Sequence, residues 1–239
     1  LGAGKASNVF LNANLGVSGI SSVIGGAGND SLIGSSGNET LEGGLGNDTL
    51  AGLGGNDSIL GGDGDDLIRT GFGTGTDTVN GGIGSDTLSF VGVTAGITID
   101  LDEQTISGIS TVLQDIFENF VGGSGNDTVN VDALEVSRFL DGGAGSNSLV
   151  IDGKGRTVTI TPSGSGFIAT FGPGTGMDTA VYQPITYTNF NMVTIVTPTI
   201  VVDGTAGNDT LVINATSATD GSYQLNGGPV VNFADVQTF

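Results

Sequence analysis

Cysteine and histidine are both absent from the 239 residues. Without cysteine there is no disulfide and no thiolate metal site. Without histidine there is no Ser-His-Asp or Cys-His catalytic pair and none of the usual zinc sites. Tryptophan is also absent, and only five lysines and arginines face twenty-five acids, a net charge of −20. A field of that sign repels nucleic acid and anionic lipid and attracts cations. No run of eighteen apolar residues occurs; the nearest, MVTIVTPTIVV (192–202), is broken by threonines and Pro198, so no membrane span is expected. The sequence begins at Leu1 and carries no signal peptide, which reads as a processed product or part of a longer chain.

What is present is glycine, 45 residues of it, far above the usual share of about 7%. It lacks the every-third-residue period of collagen, and proline stands at only five. The glycine is instead arranged in blocks of nine. Residues 25–69 read GGAGNDSLI, GSSGNETLE, GGLGNDTLA, GLGGNDSIL and GGDGDDLIR without a gap. After Thr70 and Gly71 the register resumes in FGTGTDTVN (72–80) and GGIGSDTLS (81–89). The sixth slot holds an acid in every block: Asp30, Glu39, Asp48, Asp57, Asp66, Asp77 and Asp86. The eighth slot is always a large apolar residue: Leu32, Leu41, Leu50, Ile59, Ile68, Val79 and Leu88.

Each block has two physical parts. Six residues rich in Gly, Asn and Asp tolerate positive φ and suit a tight turn. The remaining three form a short strand with one inward apolar side chain. One such unit cannot bury that side chain alone, but stacked units can, and an internal period of this kind is the mark of a solenoid. The expected fold is therefore all-β, a parallel β-roll or β-solenoid with additional strand segments at both ends.

The array resembles the RTX, or haemolysin-type, calcium-binding nonapeptide repeat. The resemblance implies that two blocks form one 18-residue coil, that consecutive blocks lie on opposite edges, and that calcium ions sit in rows between stacked turns. Same-edge acids then pair two blocks apart: Asp30 with Asp48, Glu39 with Asp57, Asp48 with Asp66, Asp57 with Asp77, and Asp66 with Asp86. Turn carbonyls complete each shell, with Gly26, Gly28, Gly44, Gly46, Gly55, Gly62, Gly64, Gly82 and Gly84 as the expected donors. Calcium takes about 6–8 oxygen ligands in flexible geometry, and a glycine turn presents carbonyls without a Cβ in the way. Residues 25–89 hold ten acids and one base, Arg69, a charge that roughly five Ca²⁺ ions would neutralise.

Departures from the pattern are visible. Glu39 is a methylene longer than aspartate, Ser35 and Leu53 replace glycine at the second slot, and the extra Thr70 and Gly71 are expected to distort the Asp57/Asp77 pair. Beyond the array, DTLSFVGVTAGITIDL (86–101) and DIFENFVGGSGNDTV (115–129) are similar to a spacer of secreted haemolysin-type proteins, in which a short strand pair interrupts the repeats. Asp127 and Asp209 stand in good local blocks with no evident same-edge partner and are further candidate ligands. Asn147, in GGAGSNSLV (142–150), and Asp178, in PGTGMDTAV (173–181), are weaker ones. STVLQDIFENF (110–120) has some helical spacing but is read as strand. RTVTITPSG (156–164) and YTNFNMVTIV (187–196) are read as strands too.

The expected organisation is lead-in strands over 1–24, a calcium-binding β-roll over 25–89, a spacer and second repeat segment over 90–150, and a β-rich region with degenerate repeats over 151–239. Other readings exist. The Asn-Asp pairs also serve as plain turn formers, since metal-free solenoids exist. GAGKAS (2–7) lacks the spacing of a phosphate loop, and the NDT triplets at 47, 126 and 208 are by-products of the repeat rather than glycosylation sites. Carboxylate pairs suffice for glycoside hydrolysis, but these acids already have a metal role, so no enzyme is expected. The function expected is an extracellular or cell-surface calcium-binding structural protein that folds on calcium and assembles into a filament or surface layer through the apolar strands near Val9, Phe10 and Leu11 and near Val231, Phe233 and Val236. The alternative is a non-catalytic module of a larger secreted enzyme or adhesin. The partners are calcium ions and further copies, with no nucleic acid.

Overall fold

The computed structural model describes residues 8–10, 20–115, 117–132, 137–154, 156–163, 166–172, 183–197, 200–202, 211–215, 221–225 and 230–234. Among these the regular structure is all strand. No helix there is long and apolar enough to cross a membrane. The chain divides into two units, Leu1–Ser124 and Gly125–Phe239.

In the first unit each nonapeptide contributes a short strand, and successive blocks alternate between two parallel sheets. One sheet stacks β1 (Asn8–Phe10), β3 (Ser31–Ile33), β5 (Thr49–Ala51), β7 (Leu67–Arg69) and β9 (Thr87–Ser89). The other stacks β2 (Ser22–Ala27), β4 (Thr40–Leu45), β6 (Ser58–Asp63) and β8 (Asp77–Ile83). The registers align the eighth slots. Leu32 lies against Leu50, Leu50 against Ile68, and Ile68 against Leu88. On the other sheet Leu41 lies against Ile59 and Ile59 against Val79. All seven are buried. The two apolar ladders form the core, each side chain contributing about 1.5–3 kcal/mol by leaving water.

The roll does not stop where the array stops. After β9 the chain makes an antiparallel hairpin, β10 (Thr98–Asp100) with β11 (Thr105–Ser107), the strand pair expected of the spacer. It then adds β12 (Thr111–Leu113) beside β8 and β13 (Asn119–Val121) beside β9. Leu113 continues one ladder on Val79 and Phe120 continues the other on Leu88. Phe90, Phe117 and Phe120 are fully enclosed, with the Phe90 and Phe120 rings 5.8 Å apart. The described residues of 110–120 thus add strand, not helix.

The turns explain the glycine. Gly44 adopts φ of 114°, and a Cβ there would stand 2.1 Å from the Gly26 carbonyl oxygen of the preceding coil. At Gly44 the stacked turn backbones leave no room for a side chain. Leu53, in the equivalent slot, takes φ of 75° with a side chain, a left-handed conformation that costs about 1–2 kcal/mol.

The second unit keeps the parallel stack and lengthens the coils. One sheet orders β14 (Thr128–Asp132), β16 (Ser148–Asp152), β20 (Met192–Val196) and β24 (Val230–Ala234) in parallel. It continues antiparallel through β23 (Gly221–Leu225) and β22 (Leu211–Ala215). The other pairs β15 (Arg138–Asp141) with β19 (Ile185–Thr188), then β18 (Gly166–Phe171), β17 (Val158–Ser163) and β21 (Ile200–Val202). Val129, Leu149 and Val193 share one buried row, and Val131, Ile151 and Ile195 the next. The strand expected over 187–196 is two strands, because the chain turns at Asn189, whose φ is 59°.

Removing a ladder residue should be far more damaging than removing an outward one. We expect Leu50→Ala (0% exposed) to cost about 2–5 kcal/mol and Leu60→Ala (38% exposed) about 0.5 kcal/mol or less, read by denaturant titration in calcium.

Candidate metal centre

Alternation of the blocks places their turns on two edges of the roll. Asp30, Asp48, Asp66 and Asp86 share one edge; Glu39, Asp57 and Asp77 share the other. All seven are buried, none more than 5% exposed. The five pairs expected from the two-block offset are hydrogen-bonded neighbours. The Asp30 N–H donates to Asp48 Oδ1 at 2.7 Å, Glu39 to Asp57 at 2.8 Å, Asp48 to Asp66 at 2.7 Å, Asp57 to Asp77 at 3.2 Å and Asp66 to Asp86 at 2.9 Å. Beside this ladder runs a second of opposite sense, in which Asn29 Oδ1 accepts from the Asn47 N–H and Asn38 Oδ1 from the Asn56 N–H.

Asp48, Asp57, Asp66, Asp77 and Asp86 each use one carboxylate oxygen in that way. The other, Oδ2 of Asp48, Asp57 and Asp66, is shut from solvent and accepts no hydrogen bond. Its surroundings are visible at the first glycine of each block. The point that a Gly43 Cβ would occupy is 2.2 Å from Asp48 Oδ2 and 2.5 Å from the Gly61 carbonyl oxygen. The same point at Gly61 is 2.2 Å from Asp66 Oδ2 and 2.3 Å from the Gly81 oxygen. A carboxylate oxygen and a carbonyl oxygen therefore converge with no donor between them. Buried acceptors facing acceptors require a proton or a cation.

The acidities carry the same strain. Burial pushes Asp57, Asp66 and Asp86 up to about 6; the N–H bond from the adjoining coil offsets part of this, and the charge of stacked acids adds to it. Asp48 is raised for the same reasons. Every donor is an oxygen, which suits a hard cation such as calcium. Among the described residues no three metal-ligating side chains gather in one group. The acids meet in pairs, so backbone carbonyls and water must supply the rest of any shell.

The departures matter chemically. Both Glu39 carboxylate oxygens accept from Ser35, Oε2 from its N–H at 3.0 Å and Oε1 from its hydroxyl at 2.7 Å. The inserted Thr70 donates its hydroxyl to Asp77 Oδ2 at 2.8 Å. The insertion thus leaves the Asp57/Asp77 pair joined, by the longest of the five bonds, and gives Asp77 a donor. Asp127, for which the sequence offers no same-edge partner, has one: its N–H donates to Asn147 Oδ1 at 2.9 Å. Asp178 and Asp209 lie outside the described residues.

Two features escaped the sequence reading. Gly26, Gly28, Gly44, Gly46, Gly55, Gly62, Gly64, Gly82 and Gly84 all take positive φ, and the first-slot glycines Gly61 and Gly81 also bring carbonyl oxygens close to Oδ2. The acid ladder also runs one step further. Glu118 Oε2 accepts from the Asp86 N–H at 2.9 Å, and the register of Asn119 on Thr87 puts Glu118 in the acid slot of the added coil. Asp115 Oδ2 accepts from the Gly82 N–H nearby at 3.3 Å. The signal was the order acid-x-apolar in Glu118-Asn119-Phe120, hidden by a 32-residue offset.

These acidities set a pH dependence for the cation-free protein. A carboxyl raised from 3.8 to about 6 on folding favours the folded state when protonated. That contribution is full below about pH 3.8 and lost as pH rises through about 6. In chelator, we expect the β signal of the array to persist at about pH 4 and to be lost as pH rises through about 6, and to be lost less in Asp66→Asn. A flat profile contradicts this.

Four copies of the RTX calcium-binding nonapeptide repeat match the chain, at residues 15–50, 42–76, 52–88 and 118–133. No curated protein matches it. RTX nonapeptide repeats bind calcium and are not catalytic. The stacked acids and glycine turns of the first unit coincide with these matches, and over residues 15–88 and 118–133 the chain matches the RTX calcium-binding nonapeptide repeat.

Proposed function

We propose that the chain is an extracellular structural module whose repeats fold on calcium, with Asp30, Glu39, Asp48, Asp57, Asp66, Asp77 and Asp86 as side-chain ligands and turn carbonyls as the remaining ones. The observation that carries the reading is the bare Oδ2 of Asp48, Asp57 and Asp66, which for Asp48 and Asp66 stands beside a carbonyl oxygen. Glu118 belongs in the same row, because it accepts from Asp86 as Asp86 does from Asp66. Asp127 is the candidate of the second unit. A bound cation would supply the positive charge that these oxygens lack. The chain's own part is to hold them in pairs, exclude water and keep Cβ atoms out of the turns.

Extracellular modules bind calcium with Kd of about 10⁻⁴–10⁻³ M, a range filled outside cells and empty in the cytosol. At ten times Kd each site contributes about 1.4 kcal/mol. Five sites give about 7 kcal/mol, comparable to the net stability of a domain. Calcium on this scale decides whether the array is folded, so an array exported unfolded would fold on arrival outside.

Open sheet edges support assembly as the finer part of the proposal. Among the described residues β1 and β2 each have a neighbour on one side only, as do β21 and β22 in the second unit. An unpaired edge accepts a strand of another copy, and a head-to-tail contact of that kind propagates into a fibre. The apolar strands expected to engage include Val9 and residues 230–234; Leu11 and Val236 lie outside the described residues.

Circular dichroism tests folding and light scattering tests assembly. Excess EGTA should abolish most of the β signal of the array, millimolar calcium should restore it, and magnesium should substitute poorly because it demands tighter octahedral geometry. Scattering should grow on calcium addition and fail after deletion of residues 230–239. A spectrum unchanged by EGTA after prolonged dialysis defeats the calcium reading. A persistent monomer in calcium defeats assembly alone.

A further inference from the structure

The second unit contains a turn built on the same plan with opposite chemistry. Asn147 occupies the acid slot of the block 142–150 and is 1% exposed. Its Oδ1 accepts from the Asp127 N–H, as Asp48 Oδ1 does from Asp30, and its own N–H donates to Asn191 Oδ1 at 2.8 Å. The other terminal atom differs. The point a Gly142 Cβ would occupy is flanked by Asn147 Nδ2 at 2.9 Å and the Asn189 carbonyl oxygen at 2.4 Å. In the array the corresponding point at Gly43 is flanked by Asp48 Oδ2 and the Gly61 oxygen. The amide nitrogen therefore stands where the bare carboxylate oxygen stands, against the same kind of carbonyl.

That nitrogen is a donor, and it uses the turn fully. Nδ2 donates to Gly142 O at 2.7 Å, Ala144 O at 3.1 Å and Asn189 O at 3.1 Å, with Gly143 O at 3.4 Å. Two hydrogens are shared among four converging oxygens. The amide orientation is fixed by its partners: the reverse placement would set Oδ1 against four carbonyls and Nδ2 against the Asp127 N–H.

We propose that Asn147 is the residue that makes this coil independent of calcium, its Nδ2–H groups taking the place that a cation takes beside the array's aspartates. The identity of the sixth-slot side chain, Asp or Asn, is then the specificity determinant: Asp demands a cation, and Asn fills the carbonyl cradle itself. The inference rests on the calcium reading of the array for the contrast, but the role of the amide stands on its own hydrogen bonds. In chelator the turn 142–147 and the strand after it keep their structure, while the turns at 43–48 and 61–66 lose theirs. Aspartate at 147 would restore the facing of acceptor on acceptor and convert the coil to a calcium-requiring one.

Hydrogen exchange read by mass spectrometry on the full chain, in EGTA and in millimolar calcium, tests this. The reporting amides are Gly142, which donates to Thr188 O, and Asn147, which donates to Asn191 Oδ1. In the wild type their protection should be the same in both conditions. Asn147→Ala should speed exchange at least about tenfold with or without calcium, because buried carbonyls lose their donor. Asn147→Asp should be as fast in EGTA and recover in calcium, with one more calcium ion bound per chain. The inference is overturned if wild-type protection at these amides is lost in EGTA, if Asn147→Asp keeps it there, or if calcium fails to restore it in that variant. Peptides covering 43–51 and 61–69 report separately on the array: if they stay protected in EGTA the calcium reading fails, while the Asn147→Ala result still decides the role of the amide.

Discussion

A stack that repeats every 18 residues places each chemical group against a copy of itself, and for the acids of this chain that creates an unmet demand. Along one edge Asp48 and Asp66 each spend one oxygen on the N–H of the coil before and hold the other beside a carbonyl. Two acceptors brought close together, out of water, repel. The rest of the structure is arranged around that facing. Short strands bring the turns into register, glycine lets them approach, and residues 25–89 carry one base, Arg69, against ten acids.

The two edges of the roll are chemically unequal. On one, Asp48 and Asp66 have bare Oδ2 atoms and the row runs on to Glu118. On the other, Ser35 occupies both oxygens of Glu39 and Thr70 occupies Oδ2 of Asp77, so Asp57 alone of the three has a bare oxygen. Hydroxyl donors on the second edge do part of what a cation does on the first. The amide of Asn147 completes the series, meeting the cradle with hydrogens alone. Carboxylate, hydroxyl-satisfied carboxylate and amide are three answers to one geometric problem.

Much of this was legible in the sequence because period is a strong signal. Seven apolar residues nine apart, with one interruption, define two ladders whatever the details of the turn, and Leu32 to Leu88 fell where that period puts them. The acid pairs followed from the same offset. What escaped depended on contacts that the period does not encode. The carbonyls of Gly61 and Gly81 face the acids because of the turn's curvature, which no residue type announces. Glu118 is displaced by the hairpin between β9 and β12, and Asp127 meets Asn147 at an offset of 20 residues instead of 18. The strand expected over 187–196 breaks at Asn189, since Asn tolerates the left-handed conformation there. In the second unit the coils lengthen by inserted hairpins, which dilute the repeat beyond recognition by spacing alone.

The central claim is that cations, not protons or side-chain donors, satisfy the bare Oδ2 atoms of Asp48, Asp57 and Asp66. Anomalous diffraction from crystals grown in calcium locates those ions directly. The account predicts difference peaks between stacked coils beside Oδ2 of Asp48, Asp57 and Asp66, bonded to carbonyl oxygens at about 2.3–2.6 Å, and no peak in the carbonyl cradle of Asn147. Well-ordered turns at 43–48 and 61–66 with no anomalous density beside those carboxylates would contradict it.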